Sequence, residues 1–563
     1  MLHDSISPCI DMAVLDRWPP IEYGRVGLQS KGTLAHNVDI EEALGPRSRR
    51  ERLAFGVVAL LLCLWHFTPL LICLRMNLPP YAFGHESIGV RFGEAWRSLA
   101  DSRDYFHVPA GHLLDLVNRG ILSGLLFAGV RPEADFVHAL KMFNLAGLFL
   151  HASAMSVLTA YVAATTSLTR ISKLAVLVGG ATLGYGYFWA PNRLFFPDYH
   201  LTLNVLAYAL LVLGARGLER GDAPGVLMSA VLAAGFIADK LSLLPWVLIL
   251  LALASGPFPT LRDRIRRIAQ VAGGAGLLAL VLGFLWVNGH VDRLGTFASD
   301  TFRFLRTVRG VEPTVRGLSD FVAPGTVYRP LVWIVGAWIL VAALSLAAGR
   351  RRDIPVLTLL GGGLYILMLS RRPGDGMVYE IVAFLAVTGM LSTLCLGGRT
   401  RAAAVLFWSS ALVLQAAYVG FTVMPAFVDG ARLSATVAVE IDAEVKASRL
   451  ETIYVVRDDQ GLYQSAATAA FKAAFTCGYA RRCAPQKRDA MIRSLVWPYR
   501  FVLPGEPWIE PVGSFLVLYV DHRGEEPGRQ LHDQARTYVD AATECRTWQQ
   551  HSHTIHVCRS PGG

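Results

Sequence analysis

The sequence predicts a polytopic α-helical membrane protein that ends in a small α/β domain. Of its 563 residues, 53% are hydrophobic and only 17% are charged. A soluble protein of this length would divide into several domains and carry more charge. Apolar runs of about 17–25 residues, each long enough to cross a bilayer, recur along 54–425. The remaining sequence, from 430 onward, mixes strand-like and helix-like patterns.

The N-terminal segment, residues 1–50, is polar and is expected to be a cytoplasmic extension. It lacks the short apolar core of a cleavable signal peptide. The first apolar run, about 54–74, is therefore expected to act as an uncleaved anchor.

The net charge of +10 is explained by membrane topology and not by nucleic-acid binding. Basic residues collect on the cytoplasmic ends of membrane spans. Six such clusters are predicted to be cytoplasmic: "PRSRRER", "TRISK", "ARGLERGD", "LRDRIRR", "GRRRD" and "GGRTR". Each interval between two of them must then contain an even number of spans.

This rule gives about eleven transmembrane helices within a domain at 51–429, with the N-terminus inside and the C-terminus outside. The least certain division lies at 224–256, where only Asp239 and Lys240 interrupt the apolar run. The predicted spans are about 54–74, 139–165, 174–190, 201–215, 224–238, 241–256, 268–288, 330–349, 354–370, 380–397 and 402–425.

The tail, 430–563, is expected to be a periplasmic α/β domain. "ETIYVV" and "SFLVLYV" have strand composition, and "HTIHVCR" is a third candidate strand. "QSAATAAFKAAF" and "RQLHDQARTYVDAATECR" have helical spacing.

Four cysteines lie in this tail, and in an exported segment four cysteines usually form two disulfides. Three pairings are possible. Short local loops favour Cys477–Cys483 and Cys545–Cys558. The alternative is four free thiols in a cytoplasmic tail.

Basic side chains in the outer loops break the positive-inside rule. Arg371 and Arg372 are adjacent in one short outer loop, and Arg193 and Lys240 fall on the same predicted side. A phosphate at the membrane surface would explain them, because guanidinium groups match phosphate oxygens in a bidentate way. Binding to lipid head groups is the competing explanation.

The first outer loop, about 76–138, contains a segment with helical periodicity, "HVPAGHLLDLVNRGILSGLLF". One stripe is apolar, and polar residues lie off it. The segment is expected to be a helix in the outer interface, or one packed on the outer domain. The apolar stripe is Leu113, Val117, Ile121 and Leu125, and the polar residues are Asp115, Asn118 and Arg119.

The order of these features resembles the GT-C glycosyltransferases, and is nearest to protein mannosyltransferases and lipid A aminoarabinose transferases. In that family an acidic pair follows the first span, and a Pro-rich segment then opens an interfacial helix. "GHESIGVRFGEAWRSLADSRDYFHVPAGHLL" has the same layout. Glu86 matches the second acid, and His85 stands where the family has Asp.

Three later segments extend the resemblance over about 50–400. "PNRLFFPDYHLTLNV" places Asp198 at the family's Asp, and "ADKLSLLP" places Lys240 at its Lys. "RRPGDGMVYEIVAFLAV" resembles the late outer loop, where a basic residue and a Tyr meet the donor phosphate. The resemblance implies a membrane glycosyltransferase of the bacterial inner membrane. Its donor would be a polyprenyl-phosphate-linked sugar, and its acceptor a glycan, a lipid or a protein.

The resemblance and the chemistry together assign roles to these residues. A phosphate leaves readily, so the acceptor hydroxyl chiefly needs a carboxylate base, and the lipid phosphate needs fixed cations. Glu86 is the expected base, and Asp198 is expected to orient the acceptor or the sugar. Asp101, Asp104 and His85 are alternative bases. The expected donor phosphate ligands are Lys240, Arg371 and Arg372, with Tyr379, His200 and Arg193 as lesser candidates.

No cofactor is required by this hypothesis, although some family members use a divalent metal. Four acids could supply oxygen ligands to Mg²⁺ or Mn²⁺. These acids are Glu86, Asp101, Asp104 and Asp198. In the tail His551, His553 and His556 could suggest a metal, but solvated histidines at a strand end explain them better.

Two other functions compete with the transferase. One is a non-catalytic or transport-type protein of cell-envelope polysaccharide assembly, which requires a polar path across the membrane. The other makes the outer domain the functional part and the spans its anchor. The transferase instead requires its acidic and basic residues to surround one outward cavity that opens to the lipid.

Overall fold

The computed structural model describes the chain from the first predicted span to the end of the tail, with gaps. Within the described ranges the chain is mainly helical and ends in a small sheet. All of them belong to one compact unit, Arg47–Gly563. The described residues are 49–77, 87–100, 112–132, 134–186, 194–195, 199–221, 224–239, 243–256, 260–293, 295, 299, 329–371, 375–447, 453–456, 499–502, 515–522, 540, 542, 544–550 and 553–560.

The α-helices of these ranges are numbered α1 to α14 in chain order. They are Arg49–Met76, Ser87–Ala100, His112–Phe127, Phe136–Ala164, Arg170–Leu183, Tyr199–Arg220, Val226–Asp239, Leu244–Ser255, Leu261–Trp286, Arg329–Ala348, Asp353–Arg371, Asp375–Leu394, Gly398–Tyr418 and Met424–Ala447. Several begin at side-chain caps: Asp135, Thr169 and Thr260 accept backbone N–H groups of the first turns of α4, α5 and α9.

Each of the eleven apolar segments predicted from the sequence overlaps one of these helices. In the described part of the chain, six helical stretches are long and apolar enough to cross a membrane. They lie in α1, α4, α6, α9, α10 and α13, the last continued to Asp429. Shorter apolar helices, within α7, α8, α11 and α12, account for four further segments. The chain is therefore a helical membrane protein, and eleven crossings with an inside N-terminus stay a prediction.

Helix α12 lies at the centre of the bundle. Its residues from Ile381 to Val387 are all buried. Two tryptophans of neighbouring helices donate to it: Trp338 Nε1 to Thr388 Oγ1 at 3.0 Å, and Trp408 Nε1 to the Ala386 carbonyl at 3.2 Å. Each indole N–H thus finds an acceptor within an apolar core.

Polar contacts join several helix ends on one side of the bundle. Arg170 at the start of α5 pairs with Glu51 at the start of α1, 2.8 Å apart. Ser172 and Arg401 both hydrogen-bond to Glu219 near the end of α6. Four of the six basic clusters predicted to share a membrane face therefore lie at the same end of the bundle, which is called the basic end below.

The helical segment that begins with α13 continues beyond residue 429, the predicted end of the transmembrane domain. A π-helical turn, Val419–Val423, joins α13 to α14 just before Pro425. Proline has no N–H for the helical ladder, which accounts for a wider turn at this point. Helix α14 then continues to Ala447, and Trp548 Nε1 of the sheet donates to its Glu440 Oε2 at 2.8 Å.

The tail contains a five-stranded mixed sheet of order β2-β1-β3-β5-β4. β1 is parallel to β2 and β3, whereas β5 is antiparallel to β3 and β4. The strands are Ile453–Val456, Tyr499–Val502, Phe515–His522, Glu544–Gln550 and His553–Ser560. All three strands predicted from the sequence are present.

The sequence missed β2 and β4. The helical prediction over "RQLHDQARTYVDAATECR" is wrong at its end, because Glu544, Cys545 and Arg546 form the start of β4. Pairing with β5 outweighs their local helical spacing. The other predicted helix, "QSAATAAFKAAF", lies outside the described residues.

A disulfide joins β4 to β5. Cys545 and Cys558 are register partners of the two antiparallel strands, with their Cα atoms 4.1 Å apart. This is one of the two local pairings favoured by the sequence. Cys477 and Cys483, the other pair, lie outside the described residues.

Replacing Cys558 with Ser should destabilise the sheet by about 3 kcal/mol, because an open 13-residue loop gains conformational entropy on unfolding. Limited proteolysis of the purified protein should then cleave within 453–560 faster than in wild type. Cys63→Ser, which alters a free cysteine of α1, is the control. Equal cleavage rates for Cys558→Ser and wild type would contradict the prediction.

Candidate functional site

The segment between α1 and α4 contains two helices, α2 and α3, whose polar residues face inward. Seven of these residues recur at helical spacing and are called the polar seam. They are Arg91, Glu94 and Ser98 on α2 and His112, Asp115, Asn118 and Arg119 on α3. Residues three and four apart share one helix face, so each helix contributes one polar stripe.

Apolar residues on the other faces fix the two helices against α4. Ile88, Phe92 and Ala95 of α2 pack with Ile121 and Leu122 of α3 in a core that includes α4. Phe92 makes edge-on contacts with Phe136 and Phe143 of α4. Helix α1 starts at the basic end and leads to the segment that carries α2. The polar seam therefore lies at the opposite end of the bundle.

Arg91 links two carboxyl groups at the centre of the seam. Its Nη1 donates to Glu94 Oε2 at 3.1 Å and to Asp115 Oδ1 at 2.9 Å. Trp286 Nε1, at the end of α9, approaches Asp115 Oδ2 at 3.4 Å. Arg91, Glu94 and Asp115 are all at most 9% exposed. A charge pair this deeply buried is tolerated only when it is well hydrogen-bonded.

Burial dominates the electrostatics of the two carboxyls. Desolvation raises the pKa of Glu94 well above its usual range, and Arg91 opposes this only in part. Desolvation also raises the pKa of Asp115, against the effect of Arg91 and of a hydrogen bond with Glu94. The two carboxyls share a hydrogen bond, so one of them carries a proton. Because burial raises the pKa of Glu94 well above its usual range, Glu94 is the expected site of that proton.

His112 extends the seam toward α7. Its ring packs on the Trp286 ring with centroids 4.2 Å apart, and it hydrogen-bonds to the Ala238 carbonyl. Burial, with a smaller contribution from the nearby Arg91, lowers the pKa of His112 to about 4. The ring is therefore neutral at pH 7. It adds no positive charge to the seam, which already contains Arg91 and Arg119.

Arg119 closes the seam at the C-terminal end of α9. Its guanidinium donates to the Leu285 carbonyl at 3.2 Å and the Trp286 carbonyl at 2.9 Å, and also to Asn288. The Leu285 carbonyl also accepts the Asn288 N–H, and a cation at the last carbonyls of a helix interacts favourably with the helix dipole. Asn288 adopts a left-handed φ of 55°, which ends α9. Arg119 thus fixes α3 to the end of a membrane helix.

One residue of the seam has no hydrogen-bond partner. Asn118 is 1% exposed, and neither its Nδ2 nor its Oδ1 is bonded within the described part of the chain. Glu94 Oε1 is likewise unbonded there. A buried amide without partners costs about 1–3 kcal/mol, so a retained one calls for an explanation.

Two further acids are fully buried at the same end of the bundle. Asp239 is the last residue of α7 and follows Ala238, the residue that His112 contacts. Glu380 lies in the first turns of α12, near Tyr365 of α11. They adjoin Lys240 and Tyr379 in sequence, which are two of the predicted phosphate ligands.

The residues predicted from the family resemblance cannot be placed in this site. Eight of them lie outside the described residues, namely His85, Glu86, Asp101, Asp104, Arg193, Asp198, Lys240 and Arg372. Arg371 ends α11, and Tyr379 and His200 lie within α12 and α6, but their side chains are outside the described part. Glu86 immediately precedes Ser87, the first residue of α2.

The described residues contain no group of three His, Cys, Asp or Glu side chains that could hold a metal ion. The four predicted oxygen ligands for Mg²⁺ or Mn²⁺ are not among those residues. In the tail, His553 lies in β5, His551 is not described, and His556 Nδ1 lies 3.1 Å from Thr547 Oγ1.

Sequence reasoning missed Arg91, Glu94 and Ser98 as site residues. It placed Asp115, Asn118 and Arg119 off the apolar stripe without assigning them a role. The available signal was the matching spacing of polar residues in "VRFGEAWRS" and "HLLDLVNRG", two helices joined by a short segment. Two polar stripes in one loop, each with charges of both signs, indicate that they face each other.

A scan of the sequence against protein-family models finds no match, and a search of curated proteins finds none either.

Asp115→Asn should destabilise the protein by about 3–5 kcal/mol, because it leaves the buried Arg91 without its ionised partner. Glu94→Gln should cost only about 1 kcal/mol, because Glu94 is the expected site of the proton and Gln keeps its uncharged form. Thermal unfolding in detergent measures both variants. Asp429→Asn, in an exposed ion pair, should leave the transition unchanged. An equal or larger loss for Glu94→Gln would show that the proton is not on Glu94.

The neutral His112 should make the protein acid-sensitive. Its pKa is about 4 in the fold, against 6.5 for a free His. Its contribution to stability is complete above pH 6.5 and falls by about 3 kcal/mol as the pH drops toward 4. The raised pKa values of Glu94 and Asp115 favour the folded state at low pH instead. Their effect is the same in wild type and in a His112 variant, so it cancels when the two are compared.

His112→Gln should therefore lose less stability than wild type between pH 7 and pH 4. Thermal unfolding across this range gives the comparison, and His138→Gln, a substitution on the exposed start of α4, is the control. Identical pH profiles for His112→Gln and wild type would refute the assignment.

Proposed function

We propose that the chain is a membrane glycosyltransferase of the bacterial inner membrane. It would move a sugar from a polyprenyl-phosphate-linked donor to a glycan, lipid or protein acceptor. The reaction would take place on the periplasmic face, where the tail also lies.

The observation that carries this proposal is the buried polar seam directly after Glu86. The loop that follows the first membrane helix contains two helices with a charge-balanced carboxyl cluster at most 9% exposed. A loop that merely joins two spans has no need to desolvate charges at this cost. Desolvated carboxyls with raised pKa values are typical of sites that move protons.

The same two helices also present apolar residues outward. Leu99 of α2 is 41% exposed, and Val117 and Phe127 of α3 are 39% and 96% exposed. Apolar residues beside a buried polar interior suit helices that lie in the membrane interface. A lipid-linked donor would meet such a surface before its sugar reached the polar seam.

The proposed chemistry uses the residues of the outer face. Glu86 accepts the proton of the acceptor hydroxyl as that oxygen attacks the sugar, and the polyprenyl phosphate leaves with the bonding electrons. Asp198 orients the acceptor or the sugar. Lys240, Arg371 and Arg372 stabilise the charge on the departing phosphate. No step requires a metal.

Transport is the second candidate, because a polar chain lies inside the membrane helices. His66 Nε2 of α1 lies 3.2 Å from Thr159 Oγ1 of α4, which lies 3.2 Å from Tyr208 Oη of α6. Ionisable residues within spans mark transport pathways in many proteins. However, Met155, Val162 and Leu211 pack in the same core, and a path across the bundle would have to pass them.

Sugar transfer by the purified protein is the direct test. Wild type and Glu86→Gln would be incubated with a panel of polyprenyl-phosphate sugars, and sugar release or transfer followed. Wild type should turn over at least one donor, and Glu86→Gln should be slower by about 10²–10⁴-fold, the usual effect of losing a general base.

Asp429→Asn, an exposed carboxylate of α14, should keep wild-type activity. Uptake of a polyprenyl-phosphate sugar into vesicles without any release of sugar would favour transport. Full activity in Glu86→Gln would remove Glu86 from the mechanism.

A further inference from the structure

We propose that Asn118, together with the Glu94–Asp115 carboxyl pair, forms a subsite for an uncharged group that carries several hydroxyls, namely the sugar of the lipid-linked donor. This inference rests on the proposed function and names the residues that would recognise the substrate. Asn118 lies one helical turn from Asp115 on the same face of α3.

The unused hydrogen-bonding groups define what would bind. The Asn118 amide offers two N–H donors and one carbonyl acceptor, and all are unbonded within the described chain. Glu94 Oε1 adds a further unbonded oxygen. Neighbouring hydroxyls of a sugar each donate one hydrogen bond and accept others, so they match an amide beside a carboxyl.

The charges of the seam argue against an anionic ligand. Arg91 is already engaged by Glu94 and Asp115. Arg119 is directed at the carbonyls that end α9. A phosphate would have to displace these partners, whereas a neutral sugar would leave the ion pairs intact. The phosphate of the donor is therefore expected to bind elsewhere, at the cations of the outer loops.

Burial of the amide has a testable consequence for stability. A buried amide without partners opposes folding, so its retention is explained if a ligand supplies the missing hydrogen bonds. Asn118→Leu, which has a similar shape, should keep or raise the melting temperature while it removes ligand recognition. A purely structural role for Asn118 would instead lower the melting temperature.

The experiment compares two kinds of lipid on the full-length protein in nanodiscs. The probes are undecaprenyl phosphate and the same lipid bearing a hexose or an N-acetylhexosamine, both of which are uncharged sugars. Wild type should bind at least one sugar-bearing lipid about 10-fold tighter than the sugar-free lipid. In Asn118→Leu this preference should disappear, while affinity for undecaprenyl phosphate stays the same. Gln270→Leu, on an exposed face of α9, is the control.

Asn118→Ala provides a second variant if Asn118→Leu does not fold. The subsite is overturned if wild type shows no preference for any sugar, or if a folded Asn118 variant retains the preference. Sugar transfer by wild type is measured on the same lipids. Transfer with an unchanged preference in the variants rejects the subsite alone. A preference lost in the variants without transfer by wild type rejects the transferase alone.

Discussion

The ion pair between Arg91 and Asp115 is the constraint on which the end of the bundle opposite the basic end depends. Both side chains are buried, and neither could remain charged there without the other. The pair fixes α2 on α3, and Trp286 connects it to α9 through Asp115. Glu94 accepts a second hydrogen bond from the same guanidinium nitrogen, Nη1. A loop between two spans thus becomes a rigid part of the bundle.

The polar seam reverses the arrangement of a helix on a soluble protein, where polar residues face water. Here Asn118 and Asp115 face inward, while Val117 and Phe127 face outward. This arrangement fits the predicted position of the two helices at a membrane interface, where apolar side chains can face lipid at little cost and polar ones gain from pairing inside. Arg119 adds a second anchor by capping α9. A site at this end, whether for transfer or for transport, would be lined by side chains that ion pairs and hydrogen bonds already hold in place.

The outline of the fold was predictable because its signals are local. Each predicted span overlaps a helix, and each predicted strand is present. Arg170–Glu51 and Arg401–Glu219 bring four of the basic clusters to one end, as the charge distribution required. The prediction failed where long-range pairing overrides local pattern. Glu544–Arg546 have helical spacing, but they form a strand because β5 and the disulfide to Cys558 hold them.

The same distinction applies to the candidate site: some of its properties follow from the sequence, and others are seen only in the structure. Composition and charge by themselves determined that the chain crosses a membrane, which loops carry basic residues and which tail cysteines are candidates for bonding. These properties depend on hydrophobicity and sequence spacing alone. Only the tertiary structure decided that Arg91 and Asp115, which are 24 residues apart, share a hydrogen bond, and that Asn118 is buried without a hydrogen-bond partner among the described residues. Such facts depend on how two helices pack, and packing is a property of the whole bundle that no single segment encodes.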